Sequence, residues 1–180
     1  MKRFLMLAGL LLASTGLFAQ PGPPKSPATT ETATIAGKAI AIHYSAPAVR
    51  GREGHIFTKD GLISHDPGYP LWRAGANAAT TLHTEGEVEL GGVTLAKGDY
   101  SLYVDLSDPE HWVLVVNKQT GQWGLSHDAA QDVVRLPMKM EKPEKLVESL
   151  KFSLKDEGNG KGSLALVWEH YCGAVEFRVK

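Results

Sequence analysis

The stretch Glu87–Leu106 reads E-V-E-L-G-G-V-T-L-A-K-G-D-Y-S-L-Y-V-D-L, and its pattern decides the fold class. Val88 and Leu90 alternate with acids up to Gly91-Gly92, a dipeptide that accepts the positive φ angles of a two-residue hairpin turn, and Val93–Leu95 leads back out. Ala96–Asp99 turns the chain again. Tyr100, Leu102, Val104 and Leu106 then share one face of a strand, while Ser101, Tyr103 and Asp105 take the other. This period of two predicts a sheet with one face in the core and the other in water.

Working outward, the same grammar recurs on both sides. Thr32–Ile35 and Ala39–Tyr44 flank Ala36-Gly37-Lys38 as a first hairpin, and Ala79–Thr84 is a short strand. His111–Lys118 is apolar on both faces for four residues, as a central strand should be. Val133–Met140 and Leu146–Lys155 are two further strands, with Pro143 arguing against continuous pairing between them. Leu146–Lys155 also matches a helical spacing, but Leu150, Phe152 and Leu154 alternate with Lys151, Ser153 and Lys155, which favours a strand. Ser163–Tyr171 and Ala174–Val179 form a closing hairpin. About ten short strands with Gly and Pro turns and no long helix predict an all-β, antiparallel β-sandwich of jelly-roll type, with a closed β-barrel as the alternative.

The N-terminal segment does not belong to this pattern. Lys2 and Arg3 precede an uncharged apolar run, Phe4–Phe18, and Ala19 offers a small residue for cleavage, so residues 1–19 read as a secretory signal peptide. The run is too short for a membrane span, and no transmembrane segment is expected after cleavage. Residues 20–28 (Q-P-G-P-P-K-S-P-A) read as a Pro-rich flexible leader and 29–180 as a single domain of the secreted or periplasmic space. Losing Lys2 and Arg3 takes the formal net charge from −1 to −3, and no run of basic residues appears. Nucleic acid is therefore not an expected partner. The lone Cys172 reads as a buried, inert thiol.

Candidate site residues concentrate before the regular strands. Ala48–Leu71 has no periodicity, and a long ordered loop is more often functional than not. It runs into Y-P-L-W-R-A-G-A-N, where Tyr69, Trp72, Arg73 and Asn77 project from small residues, with Arg50 and Arg52 upstream and Trp123 downstream. Aromatic and bidentate polar groups of this kind suit a small molecule or glycan through stacking and hydrogen bonds. The same residues also suit a structural role, with Arg73 on a buried carboxylate, Asn77 satisfying turn backbone and Trp72 plugging the sandwich end. Glu169 is placed in a strand, where a covered carboxylate would need a cation such as an Arg of the Trp72 loop.

Seven His residues are scattered without H-x-H, H-x-x-H or H-E-x-x-H spacing, so no metal or other cofactor is expected. There is no G-x-S-x-G elbow, and Ser126-His127-Asp128 are too close in sequence to form a triad. The leading expectation is a non-catalytic, exported ligand-binding or envelope-associated domain. A hydrolase or lyase is the alternative, and it requires His43, His83 or His127 to meet Glu169 in one cleft.

Several motifs carry a family resemblance: Tyr44-Ser45-x-Pro47 with Val49-Arg50-Gly51-Arg52, Trp72-Arg73-x-Gly75-Ala76-Asn77, Gly98-x-Tyr100-Ser101-Leu102, Asn117-Lys118 with Gln122-Trp123-Gly124, and Trp168-Glu169. Over residues 29–180 the chain resembles an uncharacterised family of exported bacterial proteins, common in Bacteroidota, that is catalogued as a domain of unknown function. The resemblance implies a secreted β-domain and no particular activity. Family members tend to carry an acid directly after the Asn, where this chain has Ala78, and the insertion His65–Gly68 lengthens the preceding loop.

Overall fold

A computed structural model describes residues 25–180, so the expected signal peptide and most of the leader lie outside the described residues. The strands are β1 (Ala28–Ile35), β2 (Lys38–Ser45), β3 (Leu71–Trp72), β4 (Thr80–Thr84), β5 (Val88–Leu90), β6 (Val93–Leu95), β7 (Gly98–Asp105), β8 (Val113–Asn117), β9 (Asp132–Pro137), β10 (Lys139–Glu141), β11 (Val147–Gly158), β12 (Lys161–Glu169) and β13 (Tyr171–Val179). The first sheet runs β1-β2-β4-β7-β8-β9 with β3 also on β7; the second runs β11-β12-β13-β5-β6 with β10 also on β13. All pairings are antiparallel, and neither sheet closes on itself. The fold is a β-sandwich, and the barrel alternative is set aside.

The core lies between the sheets. Ile40, Ile42, Leu82, Leu102 and Leu114 from the first sheet meet Leu90, Leu154, Leu164, Leu166 and Phe177 from the second, each buried. Three hairpins close on two-residue turns with positive φ at both central positions: Ala36-Gly37, Gly91-Gly92 and Asn159-Gly160. That geometry matches the right-handed twist of the strands it joins.

The structure corrects the sequence reading at three places. Val133–Met140 is not one strand: β9 pairs with β8, and after Met138 the chain crosses to the other sheet, where β10 pairs with β13. The closing hairpin turns at Glu169-His170, where Trp168 pairs with Tyr171, so Cys172 and Gly173 lie inside β13. The outer face of β7 is not wet. Ser101 and Tyr103 are fully buried there, because residues 118–131 fold back over the sheet; Gln122 Nε2 donates to Ser101 Oγ (2.9 Å) and to Tyr103 Oη (3.0 Å). Tyr103, Val115 and Ala79 form a small second core under that flap.

The long loop before β3 is ordered by successive turns. The amides of Arg52, His55, Gly61, Asp66, Tyr69 and Leu71 each bond the carbonyl three residues back, at 2.9–3.1 Å. Val49, Ile56, Phe57 and Ile63 are driven into one end of the sandwich. Phe57 meets Trp72, Trp112 and Trp168 with ring centroids 5.7, 4.9 and 5.6 Å away, an aromatic plug that fixes the loop against the sheets.

Candidate functional site

At the plugged end, the W-R-x-G-A-N segment folds across the mouth of the sandwich. Trp72 is a core residue, 2% exposed, stacked on Trp168 and donating its indole N–H to the Gly75 carbonyl at 3.1 Å. It serves the structural role considered for it, and only its edge reaches the cleft outside. Arg73 is the first residue after β3, and its guanidinium forms an ion pair with Asp66. The partner is therefore not Glu169. Asp66 Oδ1 also accepts the Gly68 amide at 2.9 Å, so one carboxylate ties both the loop and the Arg.

Asn77 holds a left-handed backbone (φ 64°), and its side chain donates to Ser45 Oγ at 3.3 Å. Its carbonyl accepts the Gly124 amide at 3.1 Å, while Gln122 accepts the Ala79 amide at 3.2 Å. These bonds clip the 121–125 segment onto the motif, with Ala78 opposite Trp123 in a local bridge. The indole of Trp123 is left 55% exposed on an anchored backbone. Arg73, Asn77, Asp66, His65 and Trp123 line one cleft of about 450 Å³.

The remaining candidates separate. Arg50 and Arg52 line an adjoining cleft, described below. Tyr69, half exposed, opens instead on a cleft with Phe57, Lys59 and Leu106. Glu169 is 2% exposed at the β12–β13 turn, with φ 56°, and its carboxylate accepts the Gly54 amide. A backbone donor, not an Arg, satisfies it.

The histidines do not converge on Glu169. His43 Nδ1 lies 3.0 Å from Thr30 Oγ1, His83 Nδ1 2.7 Å from Asp99 and His127 Nε2 2.7 Å from Asp132, each a separate pair. His170 meets Glu53 at 2.7 Å, and this hydrogen bond raises its pKa. Among the described residues no three potential ligands gather around a common point for a metal. Sequence reasoning passed over one polar cluster beneath the flap: Asp132 takes hydrogen bonds from Asn117, His127 and Arg135, and Asn117 also donates to the Asp128 carbonyl at 2.8 Å. Burial raises the Asp132 pKa, but those donors outweigh it and leave the carboxyl below its usual range. Its only sequence signal was Asn117, a polar residue ending an apolar strand.

A family model, described as a protein of unknown function (DUF2911), matches residues 26–177. The chain belongs to the DUF2911 family. No curated protein and no solved structure matches it. In this DUF2911 chain the matched span takes in β1 to β12, most of β13 and every residue that lines the Trp123 cleft.

Proposed function

We propose that the chain is an exported, non-catalytic binding domain that takes a glycan or similar small polar ligand in the Trp123 cleft. The observation that carries this reading is a large indole held in water by an ordered backbone. An exposed Trp gains nothing for folding, and a free loop would let it collapse onto the sandwich; here two backbone hydrogen bonds to the motif keep it out. Beside that platform, Asp66 and Asn77 supply an acceptor and a donor–acceptor amide for hydroxyl groups, and Arg73 adds guanidinium N–H donors. The one acid and the one Arg of the cleft neutralise each other in an ion pair, which favours binding over proton transfer.

A screen of immobilised oligosaccharides with the secreted chain and its Trp123→Ala variant tests the reading. Binding by the wild type, weakened at least tenfold in Trp123→Ala at unchanged melting temperature, is expected. Equal binding by both proteins would remove the cleft from the account.

A further inference from the structure

We infer that the ligand is a linear, negatively charged glycan running from Trp123 past Ala76 to Arg50 and Arg52; this deepens the binding proposal above and rests on it. The Trp123 cleft does not end at Asn77. A second cleft, about 460 Å³, adjoins it, and the two share Pro47, Leu62 and Ala76. Together they make one continuous groove across the end of the sandwich.

The far half of the groove is basic. Lys25, Arg50 and Arg52 line it and no carboxylate does. Among the described residues none of the three stands in an ion pair. Arg52 is oriented by backbone carbonyls instead, Nε to Val49 at 2.9 Å and Nη2 to Ala48 at 2.7 Å, and Arg50 Nη2 reaches the Lys25 carbonyl at 2.8 Å. Neutral acceptors fix a guanidinium without cancelling its charge, and each Arg keeps further N–H donors for an incoming carboxylate or sulfate. Glu148 stands behind the turn, where its carboxylate accepts the Arg50 amide at 2.9 Å, and it is not part of the groove lining.

Backbone strain follows the same path. Among the described residues six non-glycine residues have positive φ: Ala36, Asn159 and Glu169 sit in hairpin turns, Ala74 is buried outside the groove lining, and Arg50 and Asn77 line the groove, one in each half. Such conformations cost energy and persist where the surroundings enforce them, often at ligand sites. The near half argues for a sugar over a nucleic acid: its one acid and one Arg are paired and leave no net positive charge for phosphates, Asp66 and Asn77 suit hydroxyls, and one aromatic platform faces the solvent.

The test is calorimetric titration of the secreted chain with four probes of matched length: an oligogalacturonate, a sulfated oligosaccharide, a neutral cello-oligosaccharide and a poly-glutamate peptide. At least one acidic oligosaccharide should bind about tenfold or more tighter than the neutral one, the advantage falling with added salt, and the tighter of the two identifies the acid. Arg50→Gln should erase that advantage by weakening acidic binding far more than neutral binding, whereas Trp123→Ala should weaken both alike. Lys25→Gln, outside every strand, gives the same readout should Arg50→Gln fold poorly. Equal binding of acidic and neutral sugars, unaltered by Arg50→Gln or Lys25→Gln but weakened by Trp123→Ala, overturns the anionic assignment while the Trp123 site stands. Poly-glutamate binding as tightly as the acidic sugars also overturns it. Binding by none of the sugars overturns the site and this inference together.

Discussion

Gly124 is packed so closely on Arg73 that a β-carbon at position 124 would overlap the Arg73 side chain and lie 2.8 Å from the Asn77 carbonyl oxygen. The Gly124 backbone shows no positive φ, so the requirement for glycine there is one of space. Gly124→Ala must therefore push the Trp123 segment off the motif or displace Arg73. A loss of about 1–3 kcal/mol is expected, as for overpacking elsewhere. Denaturant midpoints check it, and an unchanged midpoint would show that the flap yields freely.

Arg73 and Asp66 are both largely shielded, with side chains 9% and 21% exposed. Their pair lies between a surface bridge and a fully buried one, so Arg73→Ala should cost about 2 kcal/mol and Asp66→Asn somewhat less. A double-mutant cycle should recover a coupling of about 1 kcal/mol or more. Additive single effects would mean that the pair contributes little beyond its separate contacts.

Asn77 differs in kind. Its side chain makes one long hydrogen bond, to Ser45, while its backbone is left-handed. Asn77→Ala should cost about 1 kcal/mol through that conformation, and Asn77→Gly should restore most of it. Thermal unfolding of the two variants distinguishes this from a hydrogen-bond role, in which Gly would be no better than Ala.

What was legible in the sequence was local. Gly91-Gly92 and the alternation of Tyr100, Leu102 and Val104 are written into neighbouring residues, and the structure follows both. The closing turn was misplaced because nothing in Glu169-His170 marks a turn; Glu169 is held at positive φ by the Gly54 amide, 115 residues earlier. Ser101 and Tyr103 read as wet for the same reason, since their cover arrives with Gln122 from beyond the next strand. At the site, the residue types of the W-R-x-G-A-N segment were visible. The structure divides them: Trp72, at the end of β3, enters the core, and Arg73, just beyond it, pairs with Asp66, a partner only seven residues away.

The cluster beneath the flap should make stability sensitive to acid. The pKa of Asp132 is lowered in the folded state, so its contribution is present above the unfolded value of about 3.9 and is lost as pH falls through the folded value. Asp132→Asn should destabilise the protein by about 1–3 kcal/mol near neutrality, and the difference from wild type should shrink below about pH 4. A pH-independent gap between the two unfolding curves would contradict the assignment.

Cys172 is partly buried in β13, and burial raises the pKa of its thiol. Thiolate is the reactive form, so labelling of the native protein at neutral pH should be several-fold slower than labelling in denaturant. Equal rates would place the sulfur in open solvent.

The chain contains four tryptophans, and only Trp123 presents its ring to water. Nitrogen-15 NMR gives each indole N–H its own resonance, so titration with the tightest oligosaccharide of the screen reads the binding site directly. The Trp123 indole should shift most, together with the backbone amides of Arg73–Asn77, while fully buried Trp112 stays in place. An unmoved Trp123 resonance at saturating ligand would contradict the account.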